Sequence, residues 1–157
     1  MAVTKTDNRT NGGRFEQELS HVLADNGFWV HVLQQNKAGQ PADIIAVKGA
    51  FSTLIDCKVI SDNKGFPFER VEENQKFAMR KFQRCSGEMC YFALKLPDGS
   101  IHLVSLERIE TMRNRGNMRL SDDYIRNQTW SLEKWLETSD VWGRRRHEHN
   151  DSEQDLY

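Results

Sequence analysis

Pro41-Ala42-Asp43-Ile44-Ile45-Ala46-Val47-Lys48-Gly49-Ala50-Phe51-Ser52-Thr53-Leu54-Ile55-Asp56-Cys57-Lys58 is the stretch on which the reading of the fold turns. Ile, Val, Phe, Thr and Leu dominate it, as pleated, half-buried segments prefer. It reads as two β-strands joined at Gly49-Ala50, with Gly first as a type II′ two-residue loop requires. That turn pairs Lys48 with Phe51, and counting back along both strands brings Asp43 opposite Asp56. Directly opposed side chains stand roughly 4.5–5.5 Å apart at Cβ, and like charges there repel. Two carboxylates so disposed require a cation between them. Alternation puts Leu54, Asp56 and Lys58 on one face, and Ile55, Cys57 and Val59 on the other. Asp43, Asp56 and Lys58 therefore converge on one patch. Such a patch suits Mg²⁺, which takes one or two protein carboxylates and completes its shell with water and phosphate oxygens. Read singly, an acid at a strand end is an ordinary solvated group, and an Asp-Cys-Lys triplet carries little. The weight comes from the acid after Pro-Ala, the register, and the lysine two residues on.

The bulk properties bound the rest. A chain of 157 residues is one domain with an arm or tail. It is long enough to bury a core without disulfide or metal staples. Its formal net charge of −1 does not advertise a nucleic-acid partner, so any such claim rests on local charge. Cys57, Cys85 and Cys90 have no metal-ligand spacing and leave one odd. No signal peptide or long apolar span is present. These features read as free thiols in a reducing, cytoplasmic compartment.

In chain order, residues 1–13 are polar, contain Gly12-Gly13, and read as a flexible arm in which Lys5 and Arg9, with Arg14 just beyond, could touch phosphate. Residues 14–26 read as a helix with Phe15, Leu19, Val22 and Leu23 on its core face. Glu16 stands one position off that stripe, either as a solvated residue or bordering a site. Residues 28–34 read as a strand in which His31 is a sheet residue rather than a ligand. Residues 36–40 read as a turn and 61–70 as a loop. A second helix is expected over 71–84, with Val71, Gln75, Ala78 and Phe82 on one face. Gln75 is the polar exception on that face; a buried amide needs partners, so it points at the acid cluster or sits at the core rim. Lys76, Arg80 and Arg84, with Lys81 beside them, form a basic ridge. Such a ridge is commonly a solvated face; beside a metal site it can track phosphates.

Residues 89–96 and 100–106 read as a second hairpin across Pro97-Asp98-Gly99, with Tyr91 and Phe92 on opposite faces. Short helices are expected over 106–112 and 131–138, with Trp130, Leu132 and Trp135 closing the core. Arg113, Arg115 and Arg119 fall in a loop. The domain is expected to run over 14–142, followed by a tail over 143–157 that opens on Arg144-Arg145-Arg146, turns acidic, and is read as disordered. His147 and His149 in that tail lack the fixed geometry a metal site needs. The order helix, three strands, helix, two strands gives a mixed α/β sheet flanked by helices, an αβββαβ core.

Four of these elements carry short motifs in one order: Glu16 on the first helix, Pro41-Ala42-Asp43, Asp56-Cys57-Lys58 on the next strand, and Gln75 on the following helix. Together they resemble the PD-(D/E)xK nuclease superfamily with its restriction-endonuclease-like fold. Within it the chain most resembles the Holliday junction resolvases, RecU-like and archaeal, over roughly Gly13 to Leu106. It departs from the common pattern in reading Pro-Ala-Asp for Pro-Asp and in having Asp56 where Glu is commoner. Its hairpin is also too short for the projecting stalk of RecU-type resolvases.

The resemblance implies Mg²⁺-dependent phosphodiester hydrolysis, with Mn²⁺ as a substitute ion. Asp43, Asp56 and the backbone carbonyl of Cys57 would hold the metal, with Glu16 in support. Lys58 would orient the attacking water and offset developing charge, and Gln75 would fix Lys58 or a water. Arg14, Lys76, Arg80, Lys81 and Arg84 would meet DNA. A four-way junction is cut symmetrically, so a homodimer is expected, with no membrane partner. Rival readings keep the site but change the substrate, as in a repair, restriction or mobile-element endonuclease. Others make the chain a non-catalytic DNA-binding module on the same fold, or a small scaffold protein. The intact Asp43, Asp56 and Lys58 argue against the last two.

Overall fold

The computed structural model of the chain describes residues 5–34 and 39–144, with side chains from Gly13 onward. The helix α1 (Lys5–Asp25) leads into strand β1 (Trp29–Val32). The hairpin follows as β2 (Ile44–Lys48) and β3 (Phe51–Val59), in the register expected: Lys48 pairs with Phe51 and Ile44 with Ile55. Gly49 has φ +58°, and among the described residues no non-glycine residue has positive φ, the combination a Gly-first turn needs. The tip does not project. Ala50 N donates to the Gly143 carbonyl across 3.3 Å, and a Cβ on Gly49 would come within 2.8 Å of that same oxygen.

Beyond the hairpin lie β4 (Phe66–Pro67), a 3-10 turn over Phe68–Arg70, and α2 (Glu73–Ser86). Strands β5 (Tyr91–Lys95) and β6 (Ile101–Ser105) form the second hairpin, as expected, across a turn closed by Gly99 at φ +86°. The chain continues as α3 (Leu106–Asn114), β7 (Arg119–Leu120), α4 (Asp122–Gln128), β8 (Trp130–Ser131) and α5 (Leu132–Arg144). One six-stranded sheet runs in the order β1-β2-β3-β5-β6-β8, and β4 with β7 makes a small second sheet. Strands β3 and β5 are parallel, and α2 supplies the long crossover that parallel pairing requires.

Alternation along the strands gives the large sheet two apolar faces. One carries Leu54, Phe92, Leu94 and Val104, and packs with Met79, Ile109 and Ile125 of α2, α3 and α4. The other carries Ile44, Phe51, Ile55, Tyr91 and Leu103, and packs with Phe15, Leu19 and Leu23 of α1 and Trp135 of α5. Tyr91 and Phe92 accordingly face opposite ways, as their adjacency predicts. Phe28 stacks on Trp135 at 5.7 Å, and Tyr91 meets the same indole edge-on at 5.5 Å.

Several expectations need correction. Most of the expected arm is helical, because α1 begins at Lys5. A glycine inside a helix costs about 1 kcal/mol relative to Ala without forbidding the conformation, and Phe15, Leu19 and Leu23 anchor the helix just beyond Gly12-Gly13. The second helix starts at Glu73, so Val71 lies before it and the buried stripe is Gln75 and Met79 rather than one centred on Ala78. The loop over 61–70 contains β4 and the 3-10 turn, and the loop holding Arg119 contains β7. The helix α4 was not foreseen. The last helix extends to Arg144, past the expected end of the domain at residue 142. Trp130 is 38% exposed and does not close the core, unlike Leu132 and Trp135. The turn residues 36–38, the side chains of Lys5 and Arg9, and residues 145–157, with His147 and His149, lie outside the described residues.

Candidate active site

Strand β2 begins at Ile44, and Asp43 stands immediately before it. The Asp43 carbonyl continues the β1 ladder, accepting from Leu33 N across 2.8 Å. Its N–H, however, donates to Ile55 O across 3.1 Å, one residue off the Ile44–Ile55 pairing, so the expected pairing of Asp43 with Asp56 gives way to a one-residue slip. Its carboxylate takes over where the ladder stops. Oδ2 accepts the Cys57 backbone N–H at 2.7 Å, and Oδ1 accepts Gln40 Nε2 at 2.7 Å. Both oxygens of Asp43 are thus oriented by donors, and a lone pair remains on each.

Asp56 lies in the middle of the sheet and is 1% exposed. Its Oδ1 accepts Gln75 Nε2 at 2.6 Å. Its Oδ2 has the Lys58 ammonium 3.0 Å away, but no donor among the described residues is aligned on it as a hydrogen bond. A buried carboxylate oxygen without a directed donor is costly unless something else coordinates it. Burial pushes the Asp56 carboxyl up to about 7, against the pull of Lys58 and with the Asp43 charge adding to the rise.

Glu16 joins from α1. Burial, then the Asp43 charge, then a hydrogen bond with Asp43 raise its carboxyl to about 7 as well. Without a cation these acids hold protons close to neutrality, as carboxylates sharing one site do. The Cys57 thiol is buried on the opposite face and pushed well above its usual range by burial and by Asp43, Asp56 and Glu16. It is therefore a packing residue and not a thiolate nucleophile.

The α2 N-terminus explains how Gln75 reaches the cluster. Gln75 occupies the third helical position of a capping box with Glu72. Its Oε1 accepts the Glu72 backbone N–H at 3.4 Å, which turns its Nε2 toward Asp56. Of the two sequence expectations for Gln75, the acid cluster is the one found, and its partner there is Asp56.

Asp43, Asp56, Lys58, Glu16 and Gln75 are brought together. The basic ridge is divided: Lys76 pairs with Glu73 at 3.3 Å and Arg80 with Glu110, while Lys81 and Arg84 are exposed with no ion pair among the described residues. Arg14 is exposed on α1, two residues before Glu16.

Two neighbours of the site escaped the sequence reading. Gln40 orients Asp43, and its place three residues ahead of that acid was the available signal. Arg70 is half-buried, donates to Val59 O across 3.0 Å and lies over the Phe66 ring. Burial lowers its pKa, while the Asp56 and Asp62 charges act the other way. An arginine beside the apolar Phe66-Pro67-Phe68 run was the only hint of that position.

The donor set fits a hard divalent ion. Carboxylate oxygens converge from two adjoining strands, and one of them, Asp56 Oδ2, is buried with the Lys58 ammonium beside it and no aligned donor. Among the described residues no three His, Cys, Asp or Glu side chains form a complete ligand cage. That is the arrangement Mg²⁺ prefers, with few carboxylates and a mostly aqueous shell.

A mixed sheet with an acid–acid–lysine cluster at the β2–β3 hairpin is the layout expected of the PD-(D/E)xK nuclease class. The model of the archaeal Holliday junction resolvase (Hjc) family matches residues 7–141, and the chain belongs to that family. It is accordingly an endodeoxyribonuclease that resolves Holliday junctions. Among solved structures, it is similar to Hjc of Archaeoglobus fulgidus, a Holliday junction resolvase from an archaeal hyperthermophile. The TM-score is 0.60 at 20% identity, over 80% of this chain and 98% of that one. That likeness bears on the fold. No curated protein sequence matches the chain. No helix among the described residues is long and apolar enough to cross a membrane.

Proposed function

We propose that Asp43 and Asp56 hold the catalytic ion, Mg²⁺ with Mn²⁺ able to substitute, with the Cys57 carbonyl as a further ligand and Glu16 in support. The reading rests on one observation above the others: Asp56 Oδ2 is buried without a directed donor, with Lys58 3.0 Å away and the Asp43 carboxylate close enough to raise the Asp56 carboxyl. When bound, such an ion acidifies a water and withdraws charge from the scissile phosphate.

The chain's own groups do the rest. Gln40 and the Cys57 N–H hold the Asp43 carboxylate in one orientation, and Gln75 does the same for Asp56. Fixed ligands need no reorganisation when charge develops. Lys58 holds positive charge beside Asp56 for the attacking water and the phosphate oxygens. Without the ion, burial and the Asp43 charge raise Glu16 to about 7, so binding of the ion draws off a proton there. Arg14, Lys81 and Arg84 meet the DNA backbone, with Lys76 and Arg80 free to do so when their glutamate partners are displaced. A four-way junction presents two equivalent strands, so the working unit is a homodimer. Three unpaired cysteines fit a cytoplasmic location.

Titration calorimetry with Mg²⁺ tests the ligand assignment. The native chain should take up the ion with release of protons, because raised carboxyls must ionise to bind it. Asp43→Asn and Asp56→Asn should each abolish that uptake. Uptake unaltered in both variants would reject the site.

A further inference from the structure

The strand β1 carries an aromatic pair that nothing in the cleavage chemistry uses. Trp29 is 62% exposed. Its indole lies parallel to the exposed His31 imidazole, with centroids 6.1 Å apart and planes within 10°. Val30 and Val32, the alternate residues, pack into the core on the α1 side of the sheet. Trp29 and His31 therefore stand on the other face, opposite Val47 and Ile45. That is the face of Leu54, Asp56 and Lys58, because Ile45 packs into the same cluster as Leu54. The strand is the edge of the sheet, and the exposure of both rings leaves this part of the face open.

A single exposed tryptophan is ordinary on a protein surface. Here two rings are held parallel on a rigid strand, and the row they begin ends at the acid cluster. At about 3.4 Å per residue along the strand, His31 stands about 7 Å and Trp29 about 14 Å from the level of Asp43. Stacked bases also rise about 3.4 Å per step. The pair therefore lies within about four base steps of a phosphate held at Asp43 and Asp56. The β2–β3 tip folds back onto Gly143 and does not project into a branch point.

We propose that Trp29, backed by His31, is a stacking platform for a nucleobase left without a stacking neighbour where strands exchange at the junction. This rests on the acid cluster being the site of cleavage. Any base has a π-face, so the contact is tolerant of sequence, but a continuous duplex offers no free base. The platform thus distinguishes branched from linear DNA close to the scissile phosphate.

The test is equilibrium binding of a four-way junction and of a blunt duplex by the full chain in EDTA, at several salt concentrations. Native protein is compared with Trp29→Ala and Trp29→Phe. Trp29→Ala should weaken junction binding roughly 5- to 150-fold, the range for loss of one base–aromatic stack. Duplex affinity, thermal midpoint, molecular mass in solution and the salt slope of junction binding should all stay as in the native chain. Trp29→Phe should recover most of the loss. Junction affinity within twofold of native, or an equal loss on duplex, would overturn the proposal. So would a change of mass, which would make β1 a contact between copies. Failure of the cleavage-site reading looks different: junction cutting would survive Asp56→Asn while Trp29→Ala still weakened binding.

Discussion

Gln75 donates from Nε2 to Oδ1 of Asp56 across 2.6 Å, and the same amide accepts the backbone N–H that opens α2. One side chain thus starts a helix and aims a buried carboxylate. Gln75→Ala removes both and leaves Asp56 Oδ1 without its donor. Partners of metal ligands typically contribute about 10- to 100-fold to metal affinity or activity. Cleavage by this variant should need about tenfold more Mg²⁺ or more, and the thermal midpoint should fall. A Mg²⁺ dependence identical to native would show that Gln75 serves the helix alone.

The acid cluster makes the metal-free protein sensitive to pH in an uncommon direction. Asp56 and Glu16 rise to about 7 in the fold from ordinary values of 3.8 and 4.5. An acid whose pKa is raised by folding is protonated in the folded chain before the unfolded one. Stability is therefore lowest above about pH 7 and is regained as pH falls through 7 toward the unfolded values. His102, whose pKa burial lowers from 6.5, acts oppositely at the acid end, because there the unfolded chain binds its proton first. With EDTA the thermal midpoint should therefore rise between about pH 8 and about pH 6.5. Mg²⁺ should stabilise more at the higher pH, where it replaces the missing protons. A midpoint that falls across that window in EDTA would contradict the raised acids.

The divided ridge on α2 predicts unequal contributions to DNA binding. Lys81 and Arg84 have no ion pair to surrender among the described residues, whereas Lys76 and Arg80 lean on Glu73 and Glu110. Neutralising Lys81 and Arg84 to Gln should weaken binding and lower the salt slope by about one unit for each phosphate left without its cation. Neutralising Lys76 should change the slope less. Equal slopes in all variants would return the ridge to a solvated face.

Gly143 receives the hairpin tip. A Cβ there would lie 2.9 Å from the Lys48 carbonyl oxygen. Gly143→Ala gains up to about 1 kcal/mol of helix propensity, but forcing α5 off the turn costs about 1–3 kcal/mol. Packing wins, and the thermal midpoint should drop by a few degrees. A rise would mean that the two backbones part freely.

The hairpin and its register were legible because period-2 alternation and a Gly-first turn fix the pairing from Lys48–Phe51 back to Ile44–Ile55; the slip at Asp43, whose N–H bonds Ile55 O, carries no such signal. The link between Gln75 and the cluster was half legible: the polar break in an apolar stripe was visible, its partner was not. The Met79 stripe was misaligned because Val71 stands at helical spacing from Gln75, while Glu72 caps the helix from outside. The helix α4 buries only Ile125 fully and half-buries Tyr124, so seven residues held no detectable period. Its start lay in Ser121, whose hydroxyl accepts the Tyr124 N–H. Gln40 and Arg70 act through contacts that only folding creates, so a place three residues ahead of Asp43 and a place beside an apolar run were faint signals.

The most direct measurement is cleavage of an end-labelled four-way junction by the native chain and by Asp56→Asn, each with Mg²⁺ and with EDTA. The native chain should cut only with the ion. The variant should bind the junction as before and cut at least about 100-fold more slowly, since it loses a charged ligand at nearly constant volume. Cutting by Asp56→Asn at the native rate would contradict the account.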